Sequence, residues 1–252
     1  MAALADIVEF TNTFLNIEGF DDYCPNGLQV GGRSEVNKIL TGVTASQALL
    51  DGAVRRDVDM ILVHHGYFWR GEARPITGLK YHKIKTLIEN NISLTAYHLP
   101  LDAHPVCGNN VKLAEMLGIK VDCFFGPGKL PLILSGSLSE PIPVNVFAGQ
   151  IARVLGRRVM HLGADKSKLI SKVAICTGGA QSYFPMAIEE GVDVFITGEV
   201  SEQNYHEAME SGVDFISAGH HATERYGVQA LGEVIARQFS VQVDFLEIGN
   251  PV

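Results

Sequence analysis

Residues Lys38 to Gly66 lie on Lys172 to Val200 without a gap at one constant offset, 193 − 59 = 134 for two aspartates and 181 − 47 = 134 for two glutamines. Lys38/Lys172, Ala53/Ala187 and Val58/Val192 match as well, and the apolar positions keep step. Long internal self-similarity marks a duplicated supersecondary unit. Each copy reads as strand, helix and buried strand: Lys38 to Val43, Ser46 to Arg56 and Asp59 to Val63 in the first, Val173 to Cys176, Tyr183 to Glu190 and Val192 to Thr197 in the second. A further helix and strand follow each copy, Lys80 to Asn90 with Ile92 to Tyr97, and Ser201 to Ser211 with Val213 to Ala218. Strands alternating with helices imply largely parallel sheets covered on both faces. The expected fold class is therefore α/β: two similar lobes from an internal duplication, with mostly parallel sheets and helices on both faces. The lobes are expected over 1–128 and 129–252.

Flanking segments complete the reading. Leu4 to Leu15 forms a first helix, Asp21 to Gly32 a turn-rich loop broken at Pro25 and Asn26-Gly27, and Val111 to Leu117 a short helix closed by Gly118. Leu132 to Leu138, Asn145 to Leu155 and Arg158 to Leu162 read as strand, helix and strand. A last helix (Val228 to Gln238) and strand (Val241 to Ile248) finish the chain.

Composition narrows the function classes. A net charge of −8 argues against a nucleic-acid partner gripped through phosphates. No apolar stretch approaches a membrane span, and Asp6 and Glu9 interrupt the apolar pattern of the N-terminus, unlike a signal peptide. Cys24, Cys107, Cys123 and Cys176 have no CxxC spacing and fit a reduced, cytoplasmic chain.

Ligands of open α/β sheets bind beyond the carboxyl ends of the strands. His64-His65-Gly66, His98, Glu199 and His220 all fall at such ends. At two of these ends a histidine is followed four residues later by a carboxylate, His98–Asp102 and His220–Glu224. A doublet turned at Gly66 allows two imidazoles to address two neighbouring positions, and i,i+4 partners on a helix share a face. A carboxylate shared between two cations about 3.5–4 Å apart is the usual bridge of a two-metal site. Imidazole and carboxylate without thiolate suit Zn, Fe, Mn or Ni and do not separate them. Other patterns are absent: His206-Glu207 is followed by Glu210 rather than a second histidine, there are no helical ExxH pairs, and no Walker or GxGxxG loop is present.

Asp22-Tyr23, Pro25-Asn26-Gly27-Leu28-Gln29-Val30, Thr41-Gly42-Val43-Thr44, Val63-His64-His65-Gly66, His98-x-Pro100-Leu101-Asp102, Thr197-Gly198-Glu199 and Gly219-His220-x-x-Thr223-Glu224 together resemble the YbgI-type dinuclear metal-binding family, whose members are labelled GTP cyclohydrolase type 2 homologues. The resemblance spans nearly the whole chain. It implies two divalent metal ions at the junction of the lobes and a toroidal homohexamer. It further implies that His64 and His65 each bind one ion, that Asp102 binds one and His220 the other, and that Glu224 bridges them. His98 matches a position beside the metals. The connection from Lys129 to Lys168 leaves no room for the extra domain of longer members.

Functional expectations follow. One is a metal-dependent hydrolase acting on a nucleotide-like small molecule, with His98 and Glu199 as catalytic groups. Glu199 equally suits a cap on the helix beginning near Ser201. Tyr67, with Phe68 and Trp69, is a candidate to stack on a substrate ring or to pack inside. Arg70, with Arg74, Lys80, Lys83 and Lys85, is a candidate phosphate contact or a solvated face. The other expectation is a non-catalytic metal-binding hexameric scaffold or regulator.

Overall fold

Apolar runs at the ends of both repeats become strands, and the amphipathic stretches between them become helices. The computed structural model describes residues 1–252. Its elements are β1 (Ala2–Ala3), α1 (Leu4–Phe14), β2 (Gly27–Val30), β3 (Glu35–Val36), β4 (Lys38–Thr44), α2 (Gln47–Arg55), β5 (Met60–His65), α3 (Gly78–Glu89), β6 (Ser93–Ala96), α4 (Leu99–Ala103), α5 (Asn109–Leu117) and β7 (Lys120–Phe125). There follow β8 (Ile133–Pro143), α6 (Val144–Leu155), β9 (Met160–Leu162), β10 (Leu169–Ile175), α7 (Phe184–Glu190), β11 (Val194–Thr197), α8 (Glu202–Ser211), β12 (Asp214–Ser217), α9 (His220–Thr223), α10 (Arg225–Phe239) and β13 (Gln242–Phe245). No helix is long and apolar enough to cross a membrane.

The chain divides into a unit of Met1–Leu101 with Gly227–Gly249 and a unit of Asp102–Tyr226 with Asn250–Val252. This corrects the expected division at 128/129. The reason is strand pairing: β13 joins β4 in parallel, Gln242 opposite Lys38 and Phe245 opposite Thr41, so the end of the chain completes the first sheet. Val111, Leu113, Ala114 and Leu117 of α5 meanwhile enter the core of the second unit.

In the first unit the strand order is β13-β4-β5-β6-β2, parallel throughout except for β2 at the edge. Ser46 caps α2 by accepting the Leu49 N–H, and the helix then buries Leu49, Leu50 and Ala53. These pack with Leu40, Ile61 and Val63 of the sheet and with Ile84 and Leu87 of α3. α10 approaches through Gly232, whose missing side chain leaves room for Val243 and Thr41.

In the second unit the order is β7-β8-β10-β11-β12-β9. β10, β11 and β12 are parallel, while β7, β8 and β9 run antiparallel to their neighbours. This sheet is thus mixed, parallel only at its centre. α5 and α6 cover one face through Val111, Leu113, Phe147 and Ile151 against Val173, Val194 and Ile196. Successive strand residues point to opposite faces, so Phe195 and Phe215 turn the other way and meet Phe184 of α7, with centroids 5.9 and 5.0 Å from the Phe184 ring.

The repeat survives in the hydrogen bonds. Asp59 Oδ2 accepts the N–H groups of Asn37 and Lys38, and Asp193 Oδ2 accepts those of Ser171 and Lys172, all at the 134 offset. Met60 pairs with Ser93 and Val194 with Asp214, which sets the third strands at 214 − 93 = 121. By that register the counterpart of His98 is Gly219, not His220, a correction of one residue to the sequence match. The extra residue arises where Gly219, at φ 99°, turns the chain into α9, whereas His98 leads directly into α4.

Candidate metal centre

In the first unit β5 ends in His64 and His65. His64 is fully buried, and its Nδ1 lies 2.9 Å from the Tyr97 carbonyl. A carbonyl only accepts, so Nδ1 carries the hydrogen and Nε2 keeps the lone pair a cation takes. His65 sits beside Thr44, with Nδ1 3.2 Å from the hydroxyl. His98, where the chain leaves β6, has Nδ1 2.6 Å from Asp22 Oδ1. Each of the three rings offers a nitrogen within 4.8 Å of the others. Their centroids are 4.6, 5.1 and 5.8 Å apart. Trp69 stands edge-on to His98 at 5.0 Å and tilted to His65 at 5.9 Å.

Asp22 is held from four directions. Oδ1 accepts from Tyr23 N–H as well as from His98, and Oδ2 accepts from the Asn26 amide and Leu99 N–H. Burial alone raises its pKa, but the hydrogen bond and charge of His98, with Asn26 and Tyr23, hold the carboxyl below the ordinary value. The neighbouring thiol of Cys24 is pushed up to about 12 by burial and by the charge of Asp22.

In the second unit Asp102 is buried, and Oδ1 accepts from the Asn109 amide at 2.8 Å and the Thr177 hydroxyl at 3.2 Å. Asn110 fixes that threonine by accepting its N–H at 2.8 Å. Asp102 and the buried Glu224 bring carboxylate oxygens within 4.8 Å of one another. Burial first, and then the charges of these two carboxylates, drive the Cys176 thiol well above its usual range. His220, first residue of α9, has Nδ1 2.7 Å from Glu199 Oε1 and Nε2 3.2 Å from Glu224 Oε2. Burial lowers its pKa, but the two carboxylates outweigh that and raise it to about 9.

Two glycines make this close approach feasible. A Cβ at Gly198, the counterpart of His64, would strike the His220 backbone and the Gly178 carbonyl. The second copy therefore has no room for a histidine where the first carries one. Gly178 lies at φ +70°, and a Cβ there would overlap Glu224 Oε1. Its N–H donates to Thr223 Oγ1, and its carbonyl accepts from Thr197 Oγ1, which ties the end of β10 to α9.

The remaining expected residues fall as follows. Tyr67 is buried, donates its hydroxyl to the Ala45 carbonyl, and has its pKa raised by burial. Its ring belongs to the core, which corrects its expected substrate role; Trp69 is the aromatic beside the imidazoles. Arg70 is exposed and engaged with Asp21 Oδ1 at 2.8 Å and the Asp22 carbonyl at 3.0 Å. Lys80 pairs with Glu72 at 3.1 Å. Glu199 lies in the loop before α8, where Ser201 and Asn204 form the capping box, so the cap does not come from Glu199. Asp22, Asn26, Asn109 and Thr177 carry no chemical reading on sequence alone, because a supporting hydrogen bond leaves no spacing signature.

The donor set fits a borderline divalent cation, being built mainly of imidazoles and carboxylates. All four imidazoles have Nδ1 placed against an oxygen, which is how ligating histidines are usually oriented.

A family model described as Duf34/NIF3 (NGG1p interacting factor 3) matches residues 2–251. The GTP cyclohydrolase 1 type 2 homolog of Pseudomonas aeruginosa is 52% identical over 250 residues, covering 99% of this chain and 98% of that protein. A solved structure described as protein ybgI, of unknown function, superposes with a TM-score of 0.96 at 48% identity, covering 100% of both chains. TTHA1606 from Thermus thermophilus gives a TM-score of 0.89 at 32% identity, again covering 100% of both.

Proposed function

The chain belongs to the Duf34/NIF3 family, and from that premise we propose that it binds a pair of divalent cations through His64, His65, Asp102, His220 and Glu224 and uses them to hydrolyse a nucleotide-like small molecule. One observation carries the metal reading: His64, His65 and His98 offer ring nitrogens within 4.8 Å of one another, and Asp102 and Glu224 offer carboxylate oxygens at the same spacing. Two divalent ions held together supply Lewis-acid polarisation and a nucleophile at neutral pH. The chain's own groups orient and neutralise. Asn109 and Thr177 aim the Asp102 carboxylate, and Thr44 and the Tyr97 carbonyl set the two rings of the doublet. Glu199, expected as an acid–base group, is engaged with His220 Nδ1 and acts through that imidazole.

The name GTP cyclohydrolase 1 type 2 homolog, borne by the relatives, suggests the substrate class. The ion pairs of Arg70 and Lys80 favour a substrate without a triphosphate, since both cations already have carboxylate partners. The same pairs support the second reading, a non-catalytic metal-binding scaffold. Assembly as a toroidal homohexamer belongs to either reading, and light scattering checks it.

Metal analysis of protein purified without added metal should return close to two ions per chain, dropping in His64→Ala and in Glu224→Ala. A wild type carrying none, or a Glu224→Ala variant with unchanged content, defeats the metal reading. Turnover of GTP and a hydrolase panel by the metal-loaded protein, above that of the His64→Ala/Glu224→Ala double variant, separates enzyme from scaffold.

A further inference from the structure

We propose that Trp69 and Tyr23 form an aromatic platform beside the imidazoles, one that takes a planar heterocyclic ring, the base of the nucleotide-like small molecule. The inference rests on the functional reading above and names the part of the ligand that this face of the first unit would hold.

Both rings stand around His98. Trp69 lies edge-on to it, with centroids 5.0 Å apart and planes at 83°, and Tyr23 lies at 6.3 Å and 65°. Tyr23 is 51% exposed although Arg70 lies over its ring at 5.8 Å, so one face is covered and the other is open. Trp69 is half-buried, and its indole N–H already donates to the Gly66 carbonyl at 3.1 Å. What the indole has left to offer is its π-face, which binds rings by stacking whatever their hydrogen-bonding pattern.

The backbone takes an unusual path to bring Trp69 there. In an extended segment residues two apart share a side, so Tyr67 and Trp69 would both turn into the core. Phe68 stands between them at φ 67°, a left-handed conformation rare for a bulky residue. Tyr67 accordingly goes into the core and Trp69 to the imidazoles. Such outliers persist only where the surroundings fix them, and they gather at ligand clamps. Here Gln29 exchanges two hydrogen bonds with the Tyr67 backbone, Glu72 accepts the Trp69 N–H, and the Arg70 N–H donates to the Tyr23 carbonyl at 2.6 Å. That last bond joins the two parts of the platform. Duplication does not supply this segment: the gapless match ends at Gly66 and Val200, and the second copy enters α8 at Glu202.

Guanosine is the probe, with ribose as the ring-free control, and metal content is measured on the same samples. Guanosine, but not ribose, should bind the full chain saturably in calorimetry and shield Trp69, the single tryptophan, from acrylamide quenching. Trp69→Leu and Tyr23→Leu should each weaken guanosine binding by about 5–150-fold, with bound metal unchanged. Trp69→Phe keeps a stacking face and should stay within about 5-fold of wild type. Wild-type affinity in either leucine variant overturns the proposal, as does a wild type that binds guanosine no better than ribose. Should Trp69→Leu fail to fold, the acrylamide measurement on the wild type decides, since an unshielded indole overturns the platform. A wild type carrying no metal removes the metal reading alone, and the guanosine affinities still decide the platform.

Discussion

At the scale of single residues, the two copies differ in chemistry because they differ in where a side chain has room. His64 has as its counterpart Gly198, and the volume an imidazole would need is occupied by the backbone of His220. Gly178 makes the same point more sharply, being both left-handed at φ +70° and pressed against Glu224. Gly191 is left-handed too, at φ +72°, but nothing lies within 4 Å of a Cβ built there. Alanine at Gly191 should cost about 1–2 kcal/mol, from the backbone alone, and leave bound metal unchanged. Alanine at Gly178 should cost more, about 2–4 kcal/mol, and should also lower metal content, because Glu224 has to move. Thermal melts alongside metal analysis check the pair. Equal losses in both variants would mean that Gly178 serves the backbone only.

At the scale of elements, the strand-opening aspartates show what sequence periodicity reveals and what it hides. Asp59 and Asp193 are visible as a matched pair, but their role is visible only in the structure, where each accepts two consecutive N–H groups from the neighbouring segment, at the opening of β4 and at the register shift within β10. Asp59 also pairs with Arg33 at 2.5 Å. Burial alone raises its pKa, but the Asn37 N–H, the Arg33 guanidinium and the Lys38 N–H together hold it below the ordinary carboxylate value. Its folded pKa therefore lies under the unfolded value of about 3.9, and the stabilisation is complete above that value. It is lost as pH falls through the lowered folded pKa. Asp59→Ala should thus cost about 1–3 kcal/mol near neutrality, with the gap from wild type closing as the solution is acidified below about pH 4. Urea unfolding at several pH values measures it, and a gap that widens in acid would refute the linkage. The main strands and helices were legible because apolar runs of period 2 and 3.6 leave a local signature. The one-residue slip at Gly219 was not, since His98 and His220 match as letters while the register places Gly219 opposite His98. Tyr67 and Trp69 likewise stand two apart in one aromatic run, and only packing decides that the first is core and the second faces the imidazoles.

At the scale of the whole molecule, the chain does not divide in half. Residues 227–249 follow all but the last few residues of the second unit in sequence yet belong to the first, because β13 pairs with β4 some two hundred positions earlier. No local pattern announces such a return, which is why composition and repeats suggest a lobe ending near 128. The energetic consequence is testable. Val228, Leu231 and Ile235 of α10 are fully buried, and each contributes roughly 1.5–3 kcal/mol on leaving water. Thr41 also loses its hydrogen bonds to Asp244 and Leu246 when β13 is missing. Together these losses are comparable with the whole stability of a domain, about 5–15 kcal/mol. A fragment of residues 1–128, self-sufficient if lobes followed sequence halves, should therefore show no cooperative thermal transition by circular dichroism. Adding a peptide of residues 225–249 should restore one, since it supplies the missing edge strand and the helix over it. A cooperative melt of the fragment alone would mean that α10 and β13 decorate a sheet already complete without them.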